Sequence, residues 1–203
     1  RGIARDILDE SKKGYAAIIL RRRGMGETHG VTLGSVSSKL LSKLPEVPLL
    51  LAGRRPHNHN LLIAVDGSPS STLAVDFVTK QFGGLDYSAK LFHVIRGVGT
   101  LNPSNPAFIP PEIFTLIQKE ITQGMEQLKK RVEAGGFKES KVSEKIVNDA
   151  KSRAEEIVRE AESGDYGTII VGRRGISRVQ DFFMGRVCYK VIHSGRDFTV
   201  WVI

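Results

Sequence analysis

Cysteine occurs once in the 203-residue chain, as Cys188. One cysteine excludes an internal disulfide and a cysteine-built metal cage, and makes a reducing, cytoplasmic setting the default expectation. Aromatic residues make up 7% of the sequence. They form no interleaved aromatic and basic platform on which bases could stack, which argues against nucleic acid as a ligand. No apolar run approaches the roughly 20 residues that span a bilayer, and no secretory leader heads the sequence, so no membrane partner is expected. No nucleophile–base pair and no suitably placed pair of carboxylates stands out, so an efficient enzyme is not indicated. The first residue is Arg1 rather than methionine, as expected of part of a longer product.

What is present is the composition of a globular protein, 40% hydrophobic and 26% charged. A net charge of +8, from 30 basic and 22 acidic residues, points to an anionic ligand or to a solvated basic surface. The chain also repeats itself. "LRRRGMGETHGVTLGS" (20–35) and "VGRRGISRVQDFFMGR" (171–186) hold glycines in register, Gly24 with Gly175 and Gly34 with Gly185, at one offset (175 − 24 = 185 − 34 = 151). An offset this long marks a duplicated domain rather than a solenoid of short repeats.

From residue 61 the pattern alternates between strands and helices. "LLIAV" (61–65) reads as a strand buried on both faces and stops at Asp66-Gly67. Ser68-Pro69 caps a helix that carries Ala74, Phe77, Val78 and Phe82 on one face. "KLFHVI" (90–95) is a second strand, and residues 97–111 are a turn-rich loop. A long amphipathic helix presents Phe114, Ile117, Ile121, Leu128 and Val132, and Gly135-Gly136 stops it. "KVSEKIV" (141–147) alternates like a strand near a sheet edge; a helix over 154–161, the strand "TIIVG" (168–172), a helix near 187–192 and the strand "TVWVI" (199–203) complete the pattern. Strands separated by helices predict a parallel sheet covered on both faces. In residues 1–53 only the second half of this plan recurs, as the strand "AIIL" (17–20), a helix over 35–44 and the strand "PLLLA" (48–52). The expected division is therefore a half copy (1–53), a linker (54–60) and a complete copy (61–203).

Ligands of such sheets sit beyond the carboxyl ends of the strands where the winding direction reverses. Two strands end there at Asp66 and Gly172. Glycines let a backbone approach a ligand closely, and amides at a helix N-terminus favour phosphate. An aspartate beside them suits ribose hydroxyls or a metal bridging phosphates.

The motif Gly172-x2-Gly175-x9-Gly185, with "LLIAVDGSPSSTLAVDF" and "LFHVI" before it, resembles the universal stress protein family. The resemblance covers 61–203 as a complete domain and 1–53 as a C-terminal half. It implies an open five-stranded parallel α/β sheet of Rossmann-like type, often dimeric and in some members ATP-binding. It places Asp66 at ribose and adenine, with Gly67 and Ser68 beside it, the backbone of Val94 at adenine, and Gly172, Arg173, Gly175, Gly185 and Arg186 around the phosphates. ATP, with or without Mg2+, is the cofactor so implied. Two departures stand out. The family's Ser/Thr after the last glycine is Arg186, which removes a hydroxyl but adds a guanidinium suited to bidentate phosphate contact. In the half copy Ser35 is present, but the first glycine is Arg21.

Two functions follow: a regulatory protein that binds an adenine nucleotide, or an interaction module of the same fold without one. The resemblance implies that the last strand pairs with its counterpart in a second domain, and an exposed strand edge calls for cover; Leu49–Ala52 and Val200–Val202 are therefore expected to pair antiparallel, within the chain as a pseudo-dimer or between two chains. His57-x-His59 reads as polar linker, His93 as a packed strand residue, Cys188 as a small buried side chain, and Ser68, Ser70 and Ser71 as cap residues within reach of a ligand.

Overall fold

The computed structural model describes residues 2–21, 33–44, 47–55, 58–97, 109–175 and 184–203. The elements in order are α1 (Ile3–Ser11), β1 (Ile18–Arg21), α2 (Ser35–Lys43), β2 (Leu49–Ala52), β3 (Asn60–Ala64), α3 (Pro69–Phe82), β4 (Ser88–Arg96), α4 (Pro111–Ala134), β5 (Val142–Ala150), α5 (Arg153–Ser163), β6 (Thr168–Val171), α6 (Arg186–Ser194) and β7 (Thr199–Val202). One seven-stranded sheet runs β1-β2-β7-β6-β3-β4-β5. Five strands were expected of a complete copy, and β7-β6-β3-β4-β5 are those five, all parallel. The half copy adds two more, parallel to each other, through an antiparallel seam between β2 and β7.

That seam is symmetric. Leu49 pairs with Val202, Leu50 with Trp201 and Leu51 with Val200. The offset of 151 carries Leu49, Leu50 and Leu51 onto Val200, Trp201 and Val202, so a local two-fold axis passes through the Leu50–Trp201 pair. This is an isologous contact formed inside one chain. β7 has an edge that pairing must cover, and β2 covers it.

Local chemistry explains the elements. Ser68 caps α3, its side chain accepting the Ser71 N–H at 3.2 Å, with Pro69 in the first helical position. Ser152 caps α5 by accepting from Glu155 N–H. β6 is buried along its whole length, as a central strand covered on both faces must be. On one face of the sheet α1, α2, α5 and α6 close over Leu49, Leu51, Leu62, Phe92, Ile169, Val200 and Val202. On the other, α3 and α4 close over Leu61, Ile63, Leu91, Ile170 and Trp201. None of the helices described is long and apolar enough to cross a membrane.

The repeat reaches further back than the strand pattern alone indicates. Helix α1, which the sequence reading did not assign, occupies the place that α5 holds in the complete copy and buries Ala4 and Ser11 against α2. A wide groove of about 1120 Å³ opens between α1 and α2, lined by Ile3, Leu8, Val36 and Leu44 among others.

Covering is unequal between copies. Ile19 in β1 and Ile170 in β6 are counterparts at the 151 offset, yet Ile19 is 69% exposed and Ile170 is 0% exposed. Beside Ile170 stands β3, with α3 above it; β1 is the sheet edge. Truncating Ile170 to Ala should therefore cost about 2–5 kcal/mol of stability, through lost burial and the cavity left behind. Ile19→Ala should stay within about 0.5 kcal/mol. Urea denaturation of both variants checks this contrast; equal losses would contradict the inequality of the two faces.

Candidate functional site

Within the complete copy the chain runs β3, β4, β5 toward one sheet edge and then returns to β6 and β7 on the other side of β3. The reversal falls between β3 and β6, and their carboxyl ends deliver Asp66 and Gly172. These two loops touch. A Cβ on Gly172 would lie 2.9 Å from the Ser70 backbone carbon, so only glycine lets the first turn of α3 pack against the end of β6. A Cβ on Gly175 would lie 2.7 Å from Asp66 Oδ2, so the carboxylate and the glycine backbone meet directly.

Asp66 is half-buried, and its Oδ1 accepts the Ser68 N–H at 3.0 Å in a turn closed by the exposed Gly67. The buried Ser68 side chain accepts from Ser71 N–H and donates to Arg174 O at 3.3 Å, fastening the cap of α3 to the loop after β6. On the far side of the loop, Gly185 N–H donates to Arg173 O at 2.8 Å. Gly185 is also the N-cap of α6 and supplies no side-chain acceptor; the first turn of α6 holds no acidic residue. Its amides lack intrahelical partners, and Arg186 adds a positive charge where the helix dipole is already positive. An anion at this point would relieve both.

The structure thus gathers Asp66, Gly67, Ser68, Gly172, Gly175, Gly185 and Arg186, together with the backbone of Arg173. One predicted backbone group already has a partner, and one predicted side chain is differently placed. Val94, buried in β4, offers its carbonyl to Arg153 Nε at 3.1 Å. Arg153 was not singled out from the sequence, where it is one exposed arginine opening α5. The Arg173 side chain leaves the loop altogether: it is 4% exposed and donates through Nη1 to Leu41 O at 2.8 Å. Arg22, Arg23 and Arg178, which lie within the two repeated segments, and His57 lie outside the described residues.

The remaining candidates are structural. Burial pushes the Cys188 thiol up to about 12, which leaves it protonated and inert at neutral pH. His59 stacks on Tyr87 at 4.7 Å between ring centroids. Among the described residues no cluster of three or more His, Cys, Asp or Glu side chains could hold a metal ion.

His93 lies in β4 behind Asp66. Burial lowers its pKa below the ordinary value; a bond to the Val65 backbone and the Asp66 charge oppose that, while the Arg153 charge adds to it. A histidine whose folded pKa is depressed stabilises the fold fully above its unfolded value of 6.5 and loses that contribution as pH falls below it. Stability should therefore decline on the acid side of pH 6.5, and His93→Gln should flatten the decline. Denaturation at a series of pH values reads the slope, and an unchanged slope in the variant would contradict the assignment.

Comparison with known proteins agrees with this architecture. The universal stress protein family model matches residues 57–197. A universal stress protein from Mycolicibacterium smegmatis is 28% identical over 110 residues, covering 52% of this chain; the chain spans only 37% of that relative's length. Universal stress protein YxiE from Bacillus subtilis is 26% identical over 136 residues, which cover 66% of this chain and 90% of YxiE. The solved structure of hypothetical protein MJ0577 superposes with a TM-score of 0.59 at 26% identity, over 71% of this chain and 94% of its own. A universal stress protein from Archaeoglobus fulgidus superposes on 98% of this chain, using 65% of its own, with a TM-score of 0.64 at 21% identity, so both copies share its fold. A universal stress protein solved in complex with cAMP superposes over 73% of this chain and 98% of its own, with a TM-score of 0.51 at 19% identity. With its family motif set at the strand-order reversal, this chain belongs to the universal stress protein family.

Proposed function

We propose that the complete copy binds an adenine nucleotide, ATP with or without Mg2+, beyond the carboxyl ends of β3 and β6, and that the protein regulates rather than catalyses, in the cytoplasm. The observation that carries this reading is the meeting of Asp66 with the Gly175 backbone at the strand-order reversal. It sets a hydroxyl-binding carboxylate beside an amide-rich loop and an uncapped helix N-terminus. The residues present fit the ligand in this way: Asp66 for ribose hydroxyls, the loop amides and Arg186 for phosphates, and the Val94 backbone for the base. The Val94 carbonyl has two lone pairs, so its bond from Arg153 leaves one for an adenine amino group. Binding of cAMP by one structural neighbour supports nucleotide recognition on this fold.

A second reading, an interaction module without nucleotide, is favoured by one observation. The Arg173 guanidinium, which the motif places near phosphate, is spent on backbone carbonyls of the half copy.

Calorimetry with Mg2+ and ATP on this protein and on Arg186→Ser separates the two. The nucleotide reading predicts binding by the unmodified protein and a loss of about 1.5–3 kcal/mol in Arg186→Ser, the usual worth of a charge-assisted hydrogen bond. Binding by neither protein, or by Arg186→Ser alone, would overturn it in favour of the interaction module.

A further inference from the structure

Arg173 bonds to three elements, the end of β7, the cap of α6 and the end of α2. Its N–H donates to Ile203 O at 2.5 Å, just past the end of β7, and its C=O accepts from Gly185 N–H at the cap of α6. Its side chain then crosses to the half copy. Nη1 donates to Leu41 O at 2.8 Å and Nη2 lies 3.5 Å from Val47 O. Leu41 is in the last turn of α2, where the final carbonyls have no intrahelical donors and the helix dipole favours a cation. Nε is buried with no partner, and among the described residues no carboxylate pairs with this guanidinium. Among the described residues its side-chain partners are the main-chain carbonyls of Leu41 and Val47, so the placement of this buried cation depends on theirs. Its flanking residues belong to the candidate site, Gly172 packed on Ser70 and Arg174 bonded to Ser68. Residues 172–175 are thus tied through Arg173 to the end of α2.

We propose that Arg173 is a positioning residue that makes the placement of residues 172–175 and the docking of α2 and β2 one equilibrium. The end of α2 holds the loop in its ligand-ready form, and a ligand on the loop tightens the β2–β7 seam, since such coupling is reciprocal. The ligand arm of this proposal rests on the nucleotide reading above; the docking arm does not. A cap alone would stabilise α2 and go no further. The bonds from the same residue to Ile203 and Gly185 are what extend its reach to the site.

Amide hydrogen exchange and ATP calorimetry on the whole protein, on Arg173→Lys and on Arg173→Met test both arms. Without ligand, Arg173→Met should exchange faster at Leu40–Lys43 and Leu49–Leu51 while β4 and β5 stay protected. Arg173→Lys, which keeps a cation able to reach one carbonyl, should fall between. With ATP, the unmodified protein should gain protection at Leu49–Leu51, and Arg173→Met should bind about tenfold more weakly, within the usual range of coupling. Unchanged exchange in Arg173→Met would overturn the docking arm whether or not ATP binds. Faster exchange with unchanged ATP affinity would overturn the coupling and leave Arg173 a structural cap. Absence of ATP binding by the unmodified protein would overturn the nucleotide reading and the ligand arm with it, while the exchange data still decide the docking arm.

Discussion

Three residue pairs between β2 and β7 turn one and a half copies of a domain into a single sheet. A parallel sheet of five strands ending in a short edge strand such as Thr199–Val202 leaves a row of unpaired amides and carbonyls, and most of that strand is buried. The half copy satisfies those groups with its own apolar last strand, related by a two-fold axis through Leu50 and Trp201. The burial of Leu49, Leu51, Val200 and Val202 under α2 and α6 follows from this pairing. So does the nearness of the α2 terminus to the loop after β6, and without it Arg173 would have no carbonyls to bind.

The basic residues divide into groups with different physics. Arg174 and Arg186 are exposed beside the loop glycines, where a cation raises the local attraction for anions. Arg173, between Gly172 and Arg174, is buried and its charge is directed at the negative end of α2. Lys90 and Lys145 flank the buried Glu160 at the amino-terminal side of the sheet, at 2.9 and 2.5 Å, and belong to packing rather than to the site. Of the net charge of +8, only the part at the carboxyl ends of the strands bears on a ligand.

The parts of the fold visible in the sequence are those written in local pattern. Apolar runs such as Leu61–Val65 and Thr168–Val171, stops at glycine pairs, and the cap at Ser68-Pro69 each depend on residues a few positions apart. The antiparallel seam was legible too, because the repeat made β2 the counterpart of β7, the family resemblance implies that such last strands pair, and an edge strand calls for cover. Helix α1 was not assigned, although Ala4, Ile7, Leu8 and Ser11 have helical spacing; nine residues give a weak periodic signal, and the comparison that exposes it is with α5. At the site, Asp66 and the glycines were legible because close backbone approach restricts residue type. The directions of Arg153 and Arg173 were not. A long side chain chooses its partner by tertiary position, and Arg173 finds Leu41 at a sequence separation of 132.

The proposed ligand position, where strand order reverses between β3 and β6, can be read residue by residue. Backbone amide shifts recorded by NMR as Mg2+ and ATP are added test it most directly. Nucleotide at this position should perturb Ser68, Val94, Gly172, Gly175, Gly185 and Arg186. No perturbation at saturating nucleotide, or shifts confined to the groove between α1 and α2, would contradict it.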